Sequence, residues 1–153
     1  MRLYLVQHGK AASKEVDPAR PLTKEGAAEL QAVAKFISNK RLCVSNIWHS
    51  GKRRAVETAE ILAEAVKSEE GVSFHEGLSP NDDVSLLRDE LGTMKGDVMI
   101  VGHLPFLGKL ASLLLAGSEE AGVVSFINGG VVCLERKEAG GWQIEWVVTP
   151  EIV

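Results

Sequence analysis

Two histidines and one arginine are the side chains of this sequence whose types and positions point to chemistry. His8 and His103 each come at the end of an apolar run, and Arg54 opens a helical segment that follows a third run. A guanidinium group and the N-terminus of a helix both attract phosphate. One histidine at a strand end is often structural, but two of them together with Arg54 predict an anion site.

The elements that must position these residues can be predicted from hydrophobic spacing. Continuous apolar runs at Leu3–Val6 and Val98–Val101 are typical of central strands buried on both faces. Weaker strand patterns occur at 44–48 and 72–75. Helices are expected where apolar residues recur at helical spacing, three of them capped by Thr23, by Ser50 and by the polar segment 81–83, and a fourth over 104–115.

Strands that alternate with helices predict an α/β fold, a three-layer α/β/α sandwich with a mostly parallel sheet. The last two strand patterns, 131–134 and 143–147, are separated by Gly140-Gly141 and predict an antiparallel hairpin at the sheet edge. Before this hairpin, Asn128-Gly129-Gly130 is either a loop at the rim or only a turn. Ligands bind at the carboxyl ends of parallel strands, so both histidines are expected on one rim of the sheet.

Composition sets the class of protein. The length predicts one domain over residues 1–153, and the net charge of −4 argues against a nucleic-acid surface, which needs clustered Lys and Arg. The apolar run near the start is too short for a signal segment or a membrane span, so a cytoplasmic protein is expected. Cys43 and Cys133 lack the paired spacing of zinc ligands and are expected to be buried free thiols.

Four short segments resemble, in the same order, motifs of the histidine phosphatase superfamily, which is also called phosphoglycerate mutase-like. The resemblance covers nearly the whole chain, and the four motifs together are specific although each alone would be weak. Chain length and the segment Arg20–Thr23 bring the sequence closest to the phosphohistidine phosphatases of that family. The matching positions are Gln7-His8-Gly9 for Arg-His-Gly, Ser50, Arg54, Ala55 and Thr58 for Ser-x-x-x-Arg-Ala-x-x-Thr, Gly102-His103 for Gly-His, and Arg20-Pro21-Leu22-Thr23 with Gly26 for a Pro-Leu-Thr segment.

This resemblance implies a phosphatase that works through a covalent phosphohistidine intermediate. His8 would be the nucleophile, because a neutral imidazole can attack phosphorus and leave again. Arg54 would hold two phosphoryl oxygens, and His103 would donate a hydrogen bond to a phosphoryl oxygen. No metal or other cofactor is expected, since no Asp or Glu cluster with ligand spacing accompanies the histidines. The other residues expected to bind the phosphate are Gln7, Gly9, Arg20 and Ser50.

Gln7 departs from the family pattern, in which an arginine makes a second charged contact to the phosphate. A glutamine can still donate hydrogen bonds, but it carries no charge. Loss of a hydrogen bond to a charged group costs roughly 1.5–3 kcal/mol, which predicts a rate lower by about one to two powers of ten. A weakened enzyme and a relative that only binds phosphate or a phosphoprotein would both fit this substitution.

The segment 76–80 bears on the leaving group of the substrate. Relatives that act on phosphoesters place a carboxylic acid there, whereas Ser79 stands at the matching position of this sequence, and Glu76 remains a candidate acid. An imidazole leaves phosphorus with little help from an acid. The resemblance therefore favours phosphohistidine on a histidine-containing phosphotransfer protein, with a small phosphorylated molecule as the alternative. Neither a nucleic acid nor a membrane is expected as a partner.

Overall fold

Strands and helices alternate along the chain, as the hydrophobic spacing predicts. The structure is a computed structural model that describes residues 1–153. None of its helices is long and apolar enough to span a membrane. The helices are α1 (Lys24–Ser38), α2 (Arg53–Ala63), α3 (Val84–Thr93) and α4 (Phe106–Ala116), and a short 3₁₀ turn covers Pro150–Ile152. The strands are β1 (Arg2–Gln7), β2 (Cys43–Val44), β3 (Asn46–His49), β4 (Lys67–Ser68), β5 (Val72–Phe74), β6 (Val98–Gly102), β7 (Val131–Arg136) and β8 (Trp142–Val148).

Six of the strands form one sheet in the order β5-β3-β6-β1-β7-β8. The four strands from β5 to β1 are parallel, and β1 pairs with β6 from Leu3 opposite Val98 to Gln7 opposite Gly102. The strands β7 and β8 are antiparallel and form the predicted hairpin at the edge. The mostly parallel sheet is therefore confirmed.

Helices cover both faces of this sheet and complete the predicted three-layer sandwich. The core between the sheet and α1 and α2 contains Tyr4 and Val6 of β1. The core between the sheet and α3 and α4 contains Leu3 and Leu5 of the same strand. Because successive side chains of a strand point to opposite faces and both faces are covered, every position of β1 between its ends must be apolar. This requirement explains the continuous apolar run near the start of the sequence.

The segment 44–48 differs from the expected single strand. The chain bends at Ser45, whose N–H donates to the carbonyl of Asp97, so that β2 pairs with β4 in a separate small sheet and β3 joins the main sheet. Cys43 lies in that small sheet and is exposed, which contradicts the prediction of a buried thiol. Cys133 is buried as predicted, and burial raises the pKa of its thiol to about 12.

Two of the three predicted helix caps are present. The side chains of Thr23 and Asp83 accept hydrogen bonds from N–H groups in the first turns of α1 and α3. Ser50 does not cap α2, because the helix begins later and Lys52 occupies the N-cap position without a side-chain bond. The Ser50 hydroxyl instead contacts His103, at the edge of the sheet where the candidate site lies.

Candidate active site

The carboxyl ends of β1, β3 and β6 meet at one edge of the sheet. Gln7 lies opposite Gly102 in the parallel pair β1 and β6, so that His8 and His103 follow on neighbouring strands. Their imidazole rings have centroids 5.1 Å apart and planes inclined by 52°. Arg54, in the first turn of α2, reaches the same place and donates a hydrogen bond to His8. The fold therefore brings together the three side chains that the sequence singled out.

The tautomer of His8 follows from its hydrogen bonds. Nδ1 of His8 lies 2.7 Å from the carbonyl oxygen of Gly9, and because a carbonyl can only accept, Nδ1 carries the proton. In a neutral ring the lone pair is then on Nε2, and Arg54 Nε donates to that nitrogen over 3.3 Å. The unprotonated nitrogen of His8 thus accepts a hydrogen bond from a guanidinium group.

The surroundings of His8 favour the neutral ring. Burial is the main cause that lowers the pKa of His8 below its ordinary value, and the positive charges of Arg54 and Arg20 lower it further. The hydrogen bond to the Gly9 carbonyl acts in the opposite direction without cancelling the effect. At neutral pH His8 therefore has the protonation state that a nucleophile needs.

His103 is almost completely buried, with 2% of its surface exposed. Its Nε2 lies 2.6 Å from the Oγ of Ser50, whereas its Nδ1 is buried and has no hydrogen-bond partner. Burial, followed by the charges of neighbouring groups including Arg54 and Lys52, lowers the pKa of His103 to about 3. An unpaired buried polar group costs about 1–3 kcal/mol, and a bound ligand atom would relieve that cost. The ring is a neutral hydrogen-bonding group whose Nδ1 makes no hydrogen bond within the protein.

Thr58 links the helix that carries Arg54 to the loop that carries His8. The hydroxyl of Thr58 donates to the carbonyl of Arg54 over 2.7 Å and accepts from the N–H of Gly9 over 3.0 Å. Thr58 has no exposed surface. One buried hydroxyl therefore fixes the first turn of α2 against the residue that follows His8, so that neither segment can shift without the other.

Arg20 and Gln7 lie at the same rim. Burial is the largest cause that lowers the pKa values of His8, Arg54 and His103, and the positive charge of Arg20 lowers each of them further. Arg20 has a positive φ of 49° and its Nε donates to the Ala12 carbonyl over 3.0 Å. Gln7, the last residue of β1, has a buried Oε1 without a hydrogen-bond partner. The rim thus combines two guanidinium groups with an amide.

Ser50 and Gly9, which the sequence predicts to bind phosphate, both make hydrogen bonds to other residues of the protein. Ser50 is bonded to His103 and sets the orientation of that ring. The N–H of Gly9 is already used by Thr58 and is not available to a phosphate oxygen. A Cβ atom at Gly9 would lie 2.6 Å from Leu30 Cδ1, so glycine permits the close approach of α1. The phosphate contact expected of Gly9 stays a prediction, and in the protein its N–H is bonded to Thr58 while its lack of a side chain makes room for Leu30.

Three residues of the rim had no functional role in the sequence-based prediction. Lys52 contributes positive charge near His103, and it could have been noticed because it lies within the motif around Arg54. Thr58 belongs to a motif, but spacing alone does not reveal its two hydrogen bonds. Asn128 lies in the segment that was either a rim loop or a turn, and its side chain donates to the His8 carbonyl over 2.9 Å. It is therefore part of the rim.

The candidate acid Glu76 and Ser79, which stands where relatives have an acid, lie on the side of α3. Glu76 is exposed and lines a cavity of about 500 Å³ together with His75 and Glu90, and neither His8 nor Arg54 lines that cavity. Ser79 is half-buried, and its N–H donates to an Asp82 carboxylate oxygen. The structure has no group of three or more His, Cys, Asp or Glu side chains arranged to hold a metal ion.

Comparison with known proteins identifies the family. Residues 3–79 match the model of the histidine phosphatase superfamily (branch 1), which is half of the chain. The chain is 24% identical over 155 residues to the phosphohistidine phosphatase SixA of Escherichia coli strain K12, with 98% of this chain and 94% of that protein covered. It is 30% identical over 143 residues to an uncharacterised protein of Picosynechococcus, with 84% of this chain and 86% of that protein covered.

A solved structure agrees with these sequence matches. The structure of the protein histidine phosphatase SixA complexed with tungstate superposes with a TM-score of 0.83 at 25% identity, covering 98% of this chain and 97% of that one. The predicted phosphoglycerate mutase-like sandwich and the predicted resemblance to phosphohistidine phosphatases are both confirmed.

Proposed function

Because this chain belongs to the histidine phosphatase superfamily (branch 1) and is a phosphatase, we propose that it removes phosphoryl groups from phosphohistidine on a partner protein. The observation that most supports this proposal is a neutral His8 whose Nε2 carries the electron pair and accepts a hydrogen bond from Arg54 Nε over 3.3 Å. The relative from E. coli is named a phosphohistidine phosphatase. The oxyanion in the matching SixA structure makes tungstate a suitable probe of the site.

The first step forms a phosphorylated enzyme. The lone pair of His8 Nε2 attacks phosphorus, and the bond from phosphorus to the imidazole nitrogen of the substrate breaks with its electron pair on that nitrogen. Arg54 holds the equatorial oxygens, where charge is spread in a loose transition state. When the Ser50 hydroxyl donates a hydrogen bond to Nε2 of His103, the ring proton lies on Nδ1, which can then donate to a phosphoryl oxygen.

The second step releases phosphate. A water molecule attacks phosphorus, the bond from phosphorus to His8 Nε2 breaks, and the electron pair returns to that nitrogen. The proton of the attacking water leaves with the phosphate or passes to solvent. The Nδ1–H bond to the Gly9 carbonyl keeps the ring in place throughout, so the same nitrogen is ready for another turnover.

The leaving group distinguishes phosphohistidine from a phosphoester. An alkoxide needs a proton as it departs, whereas an imidazole leaves with little help from an acid. The carboxylate of Glu76 lines the cavity on the side of α3, and Ser79 offers only a hydroxyl. These placements favour a phosphoramidate, which is the class of compound that contains phosphohistidine.

A second candidate function is a protein that binds phosphate or a phosphoprotein but turns it over poorly. Gln7 supports it, because its amide replaces a guanidinium and its buried Oε1 has no partner. A glutamine amide can donate hydrogen bonds to phosphoryl oxygens, but it lacks the charge that a guanidinium adds to them. Turnover and binding must therefore be measured separately.

The experiment that tests the proposal is the trapping of a phosphorylated enzyme. Wild type mixed with a ³²P-labelled phosphohistidine protein and quenched within milliseconds should carry an acid-labile label on His8. The variant His8→Ala should carry no label and should lose nearly all turnover. His75→Ala, which alters a half-buried histidine on the side of α3, is the matched control and should be labelled like wild type.

Two results would contradict the proposal. Inversion of configuration at phosphorus would show a single displacement without a covalent intermediate. Binding of tungstate without any turnover of phosphohistidine would favour the second candidate function.

A further inference from the structure

We infer that Asn128 is a positioning residue for the nucleophile, acting through the main chain of His8; this inference rests on the proposed function of the same site. The side-chain Nδ2 of Asn128 donates to the carbonyl oxygen of His8 over 2.9 Å. The two residues are separated by 120 positions in the chain, so that the contact depends on the fold and not on local geometry.

The turn around Asn128 is built to reach His8. The N–H of Gly130 donates to the carbonyl of Ile127 over 2.9 Å, which closes a four-residue turn with Asn128 as its second residue. Gly129, the third residue, has a φ of 78°, a conformation that favours glycine. This conformation directs the N–H of Gly129 to the carbonyls of Gln7 and His8, at 2.9 and 3.2 Å. The turn is therefore hydrogen-bonded to the carboxyl end of β1.

The peptide between His8 and Gly9 is fixed at both of its polar atoms. Its oxygen accepts from Asn128 and from the N–H of Gly129, which uses both lone pairs. Its N–H donates to the hydroxyl of Thr58. The N–H of His8 itself donates to the carbonyl of Gly102 over 3.0 Å. The backbone on both sides of the nucleophile is thus held by three other segments of the chain.

This restraint bears on the imidazole through Gly9. The Gly9 carbonyl that accepts from His8 Nδ1 belongs to the next peptide, and its direction follows from the orientation of the peptide that Asn128 holds. A rotation of that peptide would weaken the bond to Nδ1 and move Nε2 away from Arg54. Small misplacements of a reacting atom reduce rates strongly, so Asn128 should affect the chemical step more than ground-state binding.

The test compares Asn128→Ala and Asn128→Asp with wild type. The aspartate has nearly the same size but cannot donate when it is ionised. Both variants should lower kcat about tenfold with little change in KM for a phosphohistidine peptide. Affinity for vanadate, which mimics the transition state, should fall by a similar factor, whereas affinity for inorganic phosphate should not change. Asn46→Ala is the control and should match wild type. Asn46 is a half-buried asparagine at the amino end of β3, opposite the rim where the carboxyl ends of the strands meet.

A readout that is independent of turnover separates this inference from the proposed function. The ¹⁵N chemical shifts of His8 should show the Nδ1–H tautomer in wild type and a mixture of tautomers in Asn128→Ala. An unchanged tautomer, or equal losses of phosphate and vanadate affinity, would overturn the positioning role. If wild type has no turnover, the proposed function fails while the tautomer measurement still decides the role of Asn128.

Discussion

At the scale of single residues, Gln7 is the position at which this chain departs from the pattern of its family. It stands where the family has an arginine, beside a rim that already contains Arg20 and Arg54. Its Oε1 is buried without a donor, so that the amide makes no compensating bond in the protein. The positive charge at the rim therefore comes from Arg20, Arg54 and Lys52, and not from a residue at the end of β1.

We predict that Gln7→Arg raises kcat/KM for a phosphohistidine substrate about tenfold, which corresponds to roughly 1.4 kcal/mol. The added guanidinium can contact oxygens whose charge is redistributed in the transition state, and it removes the unpaired amide oxygen. Gln31→Arg, on the exposed side of α1, adds the same charge away from the rim and should have no effect. Steady-state kinetics of the three proteins test this, and a Gln7→Arg rate equal to or below that of wild type would contradict it.

His8, Arg54 and His103 could be found from the sequence because each lies at the end of a strand or the start of a helix. The carboxyl ends of parallel strands converge whatever the detailed packing, so residue position along the pattern was sufficient. The hydrogen bonds made by Ser50, Thr58 and the Gly9 N–H could not be predicted in this way. Their hydrogen-bond partners come from other segments, and spacing carries no information about such long-range contacts.

At the scale of elements, the rim is formed by loops that expose apolar side chains around the site. Phe74 at the end of β5 is 62% exposed, Leu104 directly after His103 is 43% exposed, and Ile127 beside Asn128 is 37% exposed. Gly51 has a positive φ of 85°, and a Cβ there would lie 3.0 Å from the Phe74 ring, so Phe74 rests against the loop that holds Ser50. We expect these exposed side chains to contact the proposed protein substrate.

We predict that Phe74→Ser and Leu104→Ser raise KM for a phosphohistidine protein about fivefold and leave KM for a small phosphoramidate unchanged. Loss of one apolar contact of about 1 kcal/mol corresponds to that factor. Leu86→Ser is the control, because Leu86 is 69% exposed on α3 and lines the cavity that contains Glu76 and neither His8 nor Arg54. Equal effects on both substrates, or the same effect from Leu86→Ser, would rule out a protein-binding role for these side chains.

Strands and helices were predicted correctly where a local sequence pattern, such as an apolar run or a capping residue, determines them. The run of β1 requires helices on both faces, and the caps of α1 and α3 are local hydrogen bonds. The segment 44–48 was predicted wrongly because Ser45 bonds to Asp97, which is distant in sequence. The environment of Cys43 changed with it, since a strand of two residues in a small sheet does not bury its side chains on both faces.

At the scale of the whole molecule, the site makes folding stability depend on pH. His8, His49 and His103 are all held neutral, with burial as the main cause that lowers the pKa of each. In the unfolded chain a histidine takes up a proton near pH 6.5. Above that pH neither state binds the proton and the full stability is present. Below that pH the unfolded state binds protons that the folded state does not bind, so the free energy of unfolding falls.

We predict that the free energy of unfolding falls with pH below about 6.5, and that His103 extends this loss to about pH 3, where its own folded-state pKa lies. Each histidine that is protonated only in the unfolded state adds a slope of up to about 1.4 kcal/mol per pH unit. The variant His103→Gln, which can still bond to Ser50, should reduce the slope between pH 6 and 4, because one titrating group has been removed.

Val101→Ala is the control and should lower the free energy of unfolding at every pH without changing the slope, since it removes core volume and no charge. Urea unfolding at a series of pH values in buffers free of phosphate measures these slopes, because an anion bound to the folded state would itself add stability. An equal slope in wild type and His103→Gln would mean that His103 is protonated in the folded protein, and its role as a neutral hydrogen-bond donor would then be wrong.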